Sequence, residues 1–110
     1  MWLITNFGFF SIVQKSGERD LTVRARVRED LDTLREKYLP SLSETAEWEG
    51  TDYRFRAKAS HAAVADAMRM IALDIDYSNF KNSVMAKQGS KREETYANVW
   101  SVLYRLQEEE

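Results

Sequence analysis

One hundred and ten residues, with 44% hydrophobic content, 12% aromatics and a single proline, describe one compact domain with one core, not a disordered chain. A net charge of −2 excludes a protein that holds nucleic acid through its overall charge and leaves only a local basic face for that purpose. The absence of cysteine excludes disulfides, thiolate nucleophiles and the usual structural zinc sites, and no apolar run reaches membrane-spanning length or follows a basic leader, so a cytoplasmic protein is expected.

Residues 2–15 read as one long strand: Leu3, Ile4, Phe7, Phe9, Phe10, Ile12 and Val13 show no helical spacing, and Gly8 marks a bulge or a close backbone approach. Ser16-Gly17-Glu18-Arg19-Asp20 is a hairpin-length loop. The run Leu21-Thr22-Val23-Arg24-Ala25-Arg26-Val27-Arg28 alternates with period two, burying Leu21, Val23, Ala25 and Val27 and setting Arg24, Arg26 and Arg28 in a row on the other face.

The period then changes. Leu31, Leu34 and Tyr38 fall on one helical face, Glu29, Asp30 and Asp32 suit the first turn, and Pro40 ends the helix. Residues 41–50 read as an acidic loop. The alternating pattern returns as Tyr53-Arg54-Phe55-Arg56-Ala57-Lys58-Ala59, followed by Ser60 as the cap of a helix that buries Val64, Met68, Ile71 and Ile75. Ser78 caps a short helix carrying Phe80, Val84 and Met85, which Gly89 stops. Ser90-Lys91-Arg92-Glu93 has capping-box spacing, and the last helix carries Tyr96, Val99, Trp100, Leu103 and Leu106, with a frayed tail at Glu108, Glu109 and Glu110.

Two strand–helix units in series predict an α+β domain over residues 1–110. Its small mixed sheet has a split β-α-β, ferredoxin-like arrangement: the two basic strands run parallel, the first strand lies between them, helices sit mainly on one face, and a helical extension follows. Trp2-Leu3-Ile4-Thr5-Asn6-Phe7-Gly8-Phe9-Phe10-Ser11, the strand from Leu21 to Arg28, Asp76-Tyr77-Ser78-Asn79-Phe80-Lys81 and Val99-Trp100-Ser101-Val102-Leu103-Tyr104 resemble an uncharacterised family of small bacterial proteins. The resemblance covers nearly the whole chain. It implies a complete single-domain protein and supplies no activity, ligand or catalytic residue.

The main candidate site is the basic sheet face: Arg24, Arg26, Arg28, Arg54, Arg56 and Lys58, with Phe10, or Phe9 in the other register, as the stacking aromatic. Cations that hold phosphate beside rings that stack on bases are what single-stranded nucleic-acid binding uses. The competing reading is that these side chains lie along a solvated face and pair with nearby acids, or with acids of a partner. A secondary candidate is Asp74, Asp76, Asn79 and Lys81, because acids near a helix C-terminus call for a compensating cation or a turn role. His61 beside Ser60 reads as the exposed start of a helix behind its cap, and not as a catalytic pair.

No catalytic motif, metal site or cofactor is expected. The leading function is a non-catalytic binding or regulatory module, self-associating, whose basic face meets nucleic acid or another anionic partner. The alternatives are a homo- or hetero-oligomeric protein–protein module, and a small enzyme with a pocket near residues 76–81.

Overall fold

In the computed structural model, which describes residues 1–109, the extended N-terminal stretch is two strands, β1 (Trp2–Thr5) and β2 (Gly8–Val13), joined by a two-residue turn. Thr5 makes that turn: its hydroxyl accepts from the backbone N–H groups of Phe7 and Gly8 at 3.2 and 3.0 Å and donates to the Gly8 carbonyl at 3.0 Å. A hydroxyl that satisfies the backbone locally competes with continued strand, which is why one predicted strand becomes a hairpin.

β3 (Leu21–Ala25) pairs antiparallel with β2, as the hairpin-length loop requires. The strand stops short of Arg28, which instead begins helix α1 (Arg28–Lys37). A two-residue strand β4 (Ala46–Glu47) interrupts the predicted acidic loop and precedes β5 (Phe55–Ala59). Helix α2 (His61–Leu73) follows, with the Ser60 hydroxyl accepting from Ala63 N–H at 3.1 Å as its cap.

The sheet order is β1-β2-β3-β5-β4 and every pairing is antiparallel, which keeps the α+β class and corrects the strand arrangement. The two basic strands β3 and β5 do not run parallel around the first strand. They pair with each other directly, Val23 opposite Ala57 and Arg24 opposite Arg56. Because β3 and β4 are each antiparallel to β5, they run in the same direction, with α1 between them in sequence. The split β-α-β unit is therefore β3-α1-β4, with β5 in the gap that sequence periodicity assigned to the first strand. A return strand of two residues carries no periodic signal, so alternation points to the next basic run in its place.

The core lies on one side of the sheet. Phe10, Ile12, Val23, Ala25, Ala57 and Ala59 pack against Leu31 and Leu34 of α1, Leu39 and Leu42 beyond it, and Val64 and Ala67 of α2. Ile75, beyond the end of α2, is exposed instead of buried. Asp30, in the first turn of α1, is buried and accepts from Phe9 N–H at 3.0 Å, tying the helix start to the hairpin.

Backbone contacts divide the chain into two compact units, one of residues Met1–Ile75 and one from Asp76 onward. The second holds α3 (Phe80–Gln88), α4 (Ser90–Leu103) and the single-turn α5 (Arg105–Glu108). Asn79, not Ser78, caps α3, its side chain accepting from Asn82 N–H at 2.9 Å. The capping box at Ser90 and Glu93 does not form. Gly89, at φ 92°, ends α3 and serves as the residue before α4, so Ser90 is already helical. Phe80 stacks on buried Tyr96, with ring centroids 6.1 Å apart, and Val84 is fully buried. Of the expected tail, Glu108 closes α5 and Glu110 lies outside the described residues.

Gly8 has no room for a side chain: a Cβ there would stand 2.8 Å from Asp30 Cγ and 2.9 Å from Phe10 Cζ. Both neighbours are buried and held, so Gly8→Ala is expected to cost about 1–3 kcal/mol, the usual range for overpacking. Chemical denaturation reads this directly. An unchanged midpoint would mean that the hairpin and the start of α1 are not locked together.

Candidate functional site: the cationic face of the sheet

Alternation places Phe10 on the core side, where it is fully buried, and Phe9 on the opposite side. The predicted site aromatic is thus Phe9, the other register, because Phe10 lies across from Leu3 among the core side chains. On the same face the register sets Trp2, Ser11, Arg24, Arg56 and Ala46 in one row across all five strands, and Val13, Thr22 and Lys58 in the next.

This face is roofed by the connection between β4 and β5. Tyr53, predicted to begin the strand, precedes it and is buried over the sheet. Its ring carries the guanidinium groups of Arg24 and Arg26 at 4.5 and 4.7 Å and packs 6.3 Å from the Phe9 ring, which meets Trp2 edge-on at 5.8 Å. Arg24 is half-buried and Arg26 exposed, so stacks of this kind contribute about 0.5–2 kcal/mol each, the exposed one at the lower end. Arg24 also donates to Ser11 Oγ at 2.6 Å, and its Nε finds no hydrogen-bond acceptor, so the π face of Tyr53 is what compensates it. Arg26 donates to the Asp52 carbonyl at 3.1 Å.

The other cations are also held. Arg56 donates to the Tyr53 carbonyl at 3.2 Å, reaches Asp52 at 3.7 Å and lies over the Trp48 ring at 4.9 Å, with Lys15 over the same ring at 5.1 Å. Glu47 joins Arg28 at 2.9 Å to Arg54 at 2.6 Å, and Glu49 also pairs with Arg54 at 2.8 Å. Both arginines flank the Phe55 ring, which lies across from Ala25 and packs against the core, so Arg28, Arg54 and Glu47 gather on the core side of the sheet and not on the cationic face. Lys58 pairs with Glu18 at 2.6 Å.

The hydrogen bonds from Arg54 and Arg28 hold the Glu47 carboxyl below the usual range, the bond from Lys58 does the same for Glu18, and the bond to Glu47 raises Arg54. The pairs are exposed to solvent, so each is weak singly and screened by salt.

The structure sets Arg24, Arg26, Arg56 and Lys58 on one face as the alternation predicts, but not Arg28 and Arg54, which leave the strand pattern, and sequence reading missed the partners of all six. The missing residues are Tyr53 as a roof, Trp48, Glu47 and Glu18. One signal was available: Glu44, Glu47, Glu49 and Asp52 cluster in the segment that ends at the second basic strand. Acids there are within chain reach of arginines on both strands once these pair.

A cleft of about 190 Å³ opens on this face among Lys15, Glu18, Thr22, Trp48, Arg56 and Lys58. Thr22 Oγ1 and Glu18 Oε2 are unpartnered there but closed to solvent, so the cleft as it stands presents neither atom to a ligand. Comparison with known families, curated proteins and solved structures finds no match to this chain, so no relative assigns this face a role.

The secondary candidate residues serve local structure. Asp74 closes α2 and accepts from the Tyr38 hydroxyl at 2.8 Å, a neutral donor that compensates an acid at the unfavourable end of the helix. In the second unit, Asn79 is the cap of α3 and the Lys81 ammonium lies over the Trp100 ring at 5.3 Å, while Asp76 is exposed. Among the described residues no three His, Cys, Asp or Glu side chains converge on a metal position, and no helix is long and apolar enough to cross a membrane. His61 is exposed at the first position of α2, and the Ser60 hydroxyl beside it is committed to the cap.

Burial, followed by the Asp74 hydrogen bond, pushes the Tyr38 hydroxyl up to about 12. Its proton is held more tightly folded than unfolded, so the contribution to stability is present below the ordinary tyrosine pKa and is lost as pH rises through about 12. In an ultraviolet titration, the component that disappears in Tyr38→Phe should ionise near that value, and Asp74→Asn should lower it. An ordinary tyrosine titration would refute the burial and the bond together.

Proposed function

We propose that this protein is a non-catalytic protein–protein interaction module that docks through the apolar surface of α4 and α5. One observation carries the reading: Trp100, Val102, Leu103, Tyr104 and Leu106 follow one another along the helix and are all exposed, between 45% and 62%. A contiguous apolar patch rimmed by polar groups marks a docking surface on a small domain.

The cationic sheet face supports the nucleic-acid reading less well. Arg24, Arg26, Arg56 and Lys58 on it are already engaged by a carboxylate, a carbonyl, a hydroxyl or an aromatic ring of the same chain, and Arg28 and Arg54 lie on the other side of the sheet around Phe55. A polyanion would have to displace Glu18 and Asp52 before gaining contacts, which reduces the return from neutralising phosphate.

Two measurements decide between the surfaces. In dilute protein, Val102→Glu with Leu103→Glu is expected to change the unfolding free energy by no more than about 0.5 kcal/mol, as for exposed positions. A loss of about 2 kcal/mol or more would mean that this stretch packs into the chain's own core, and would refute the docking surface. Anisotropy of labelled single-stranded RNA and DNA at low salt should show no binding. Salt-sensitive binding that disappears on replacing Lys15, Arg26 and Lys58 by glutamine would return the function to the sheet face.

A further inference from the structure

α4 and α5 make one continuous rod. Tyr104 between them keeps helical backbone angles, φ −57° and ψ −26°, and its N–H donates to the Trp100 carbonyl at 2.9 Å. Along this rod Lys91, Glu94, Asn98, Ser101, Arg105 and Glu109 succeed one another in steps of three or four residues. They form one polar stripe, exposed throughout. The stripe borders the apolar surface at Val102, which stands four residues after Asn98 and three before Arg105.

The four charges of the stripe differ from those on the sheet. Lys91, Glu94, Arg105 and Glu109 make no ion pair or side-chain hydrogen bond among the described residues. In order they read plus, minus, amide, hydroxyl, plus, minus. Reversed and laid against itself, the series sets Lys91 opposite Glu109, Glu94 opposite Arg105, and Asn98 opposite Ser101. Laid against itself in parallel, it sets every charge against its like.

Resting on the docking surface proposed above, we infer that its occupant is a second copy of this chain: the two α4–α5 rods pair antiparallel about a two-fold axis near Trp100, with Val99, Val102, Leu103 and Leu106 in the seam and the polar stripes flanking it. The surface is isologous, as a two-fold dimer requires. The apolar seam supplies the association, and the flanking charges fix direction and register, as they do in paired helices generally.

Sedimentation velocity on the full chain from micromolar to millimolar concentration tests this with two charge variants, each checked for helix content. Lys91→Glu with Arg105→Glu makes the stripe wholly acidic, and Glu94→Lys with Glu109→Lys makes it wholly basic. The wild type is expected to dimerise. Each variant alone should associate at least tenfold more weakly, and an equimolar mixture of the two should recover a dimer of one copy of each, with added salt weakening that recovery. A wild type that stays monomeric overturns the inference and leaves the apolar surface to a different protein. Variants that dimerise as the wild type does, or a mixture that stays monomeric, show that the copies meet elsewhere or in another direction, and overturn it as well.

Discussion

An antiparallel sheet with its helices on one side must give its other face to water or cover it, and here that face carries arginines on adjacent strands. Direct pairing of β3 with β5 sets Arg24 against Arg56, a like-charge pair that would destabilise the ladder if left bare. The Tyr53 roof and the acids around it remove that penalty. Its ring takes Arg24 and Arg26, its carbonyl takes Arg56, and Asp52 beside it serves both Arg26 and Arg56. The connection between β4 and β5 is thus the second layer of the sheet, and the strand order depends on it.

The same arrangement separates two uses of charge in one small protein. On the sheet face away from α1 and α2, the cations are met within the chain by carboxylates, carbonyls, a hydroxyl or aromatic rings. On the α4–α5 rod, charges of both signs stand in water with nothing to meet, beside apolar side chains that are also uncovered. Groups satisfied internally add rigidity, whereas unsatisfied groups of regular spacing describe the surface that fits them. This contrast gives the C-terminal helices more weight as a recognition element than the basic strands that dominate the sequence.

Much of the local structure was legible from residues alone. Alternation located β3 and β5, the 3.6-residue period located α1, α2 and α4, and Ser60 and Gly89 fell where they cap and stop helices. What escaped was set by contacts between residues far apart in sequence. Strand order was one case, because β4 is too short to show a period and its identity depends on pairing with β5. The two-residue turn at Thr5 was another, since its hydroxyl bonds are invisible in an apolar run. For the site, the cations were evident, yet whether they were open or paired turned on Tyr53 leaving the strand to lie across it. Alternation treats Tyr53 as one more strand residue and carries no information about that departure.

The pairing of β3 with β5 also governs how the chain folds. Ala25 and Phe55 become neighbours only after everything between them, including α1 and β4, has been drawn into a closed loop, and the entropy of that closure precedes any return from the ladder. The second unit has no such requirement, because α3 and α4 are joined through Gly89 and find each other by local contacts. Helical hairpins form in microseconds, whereas sheets closed by distant strands take milliseconds or longer. The contacts that hold the C-terminal helices together are thus local, whereas those that hold the basic strands together wait on a closed loop.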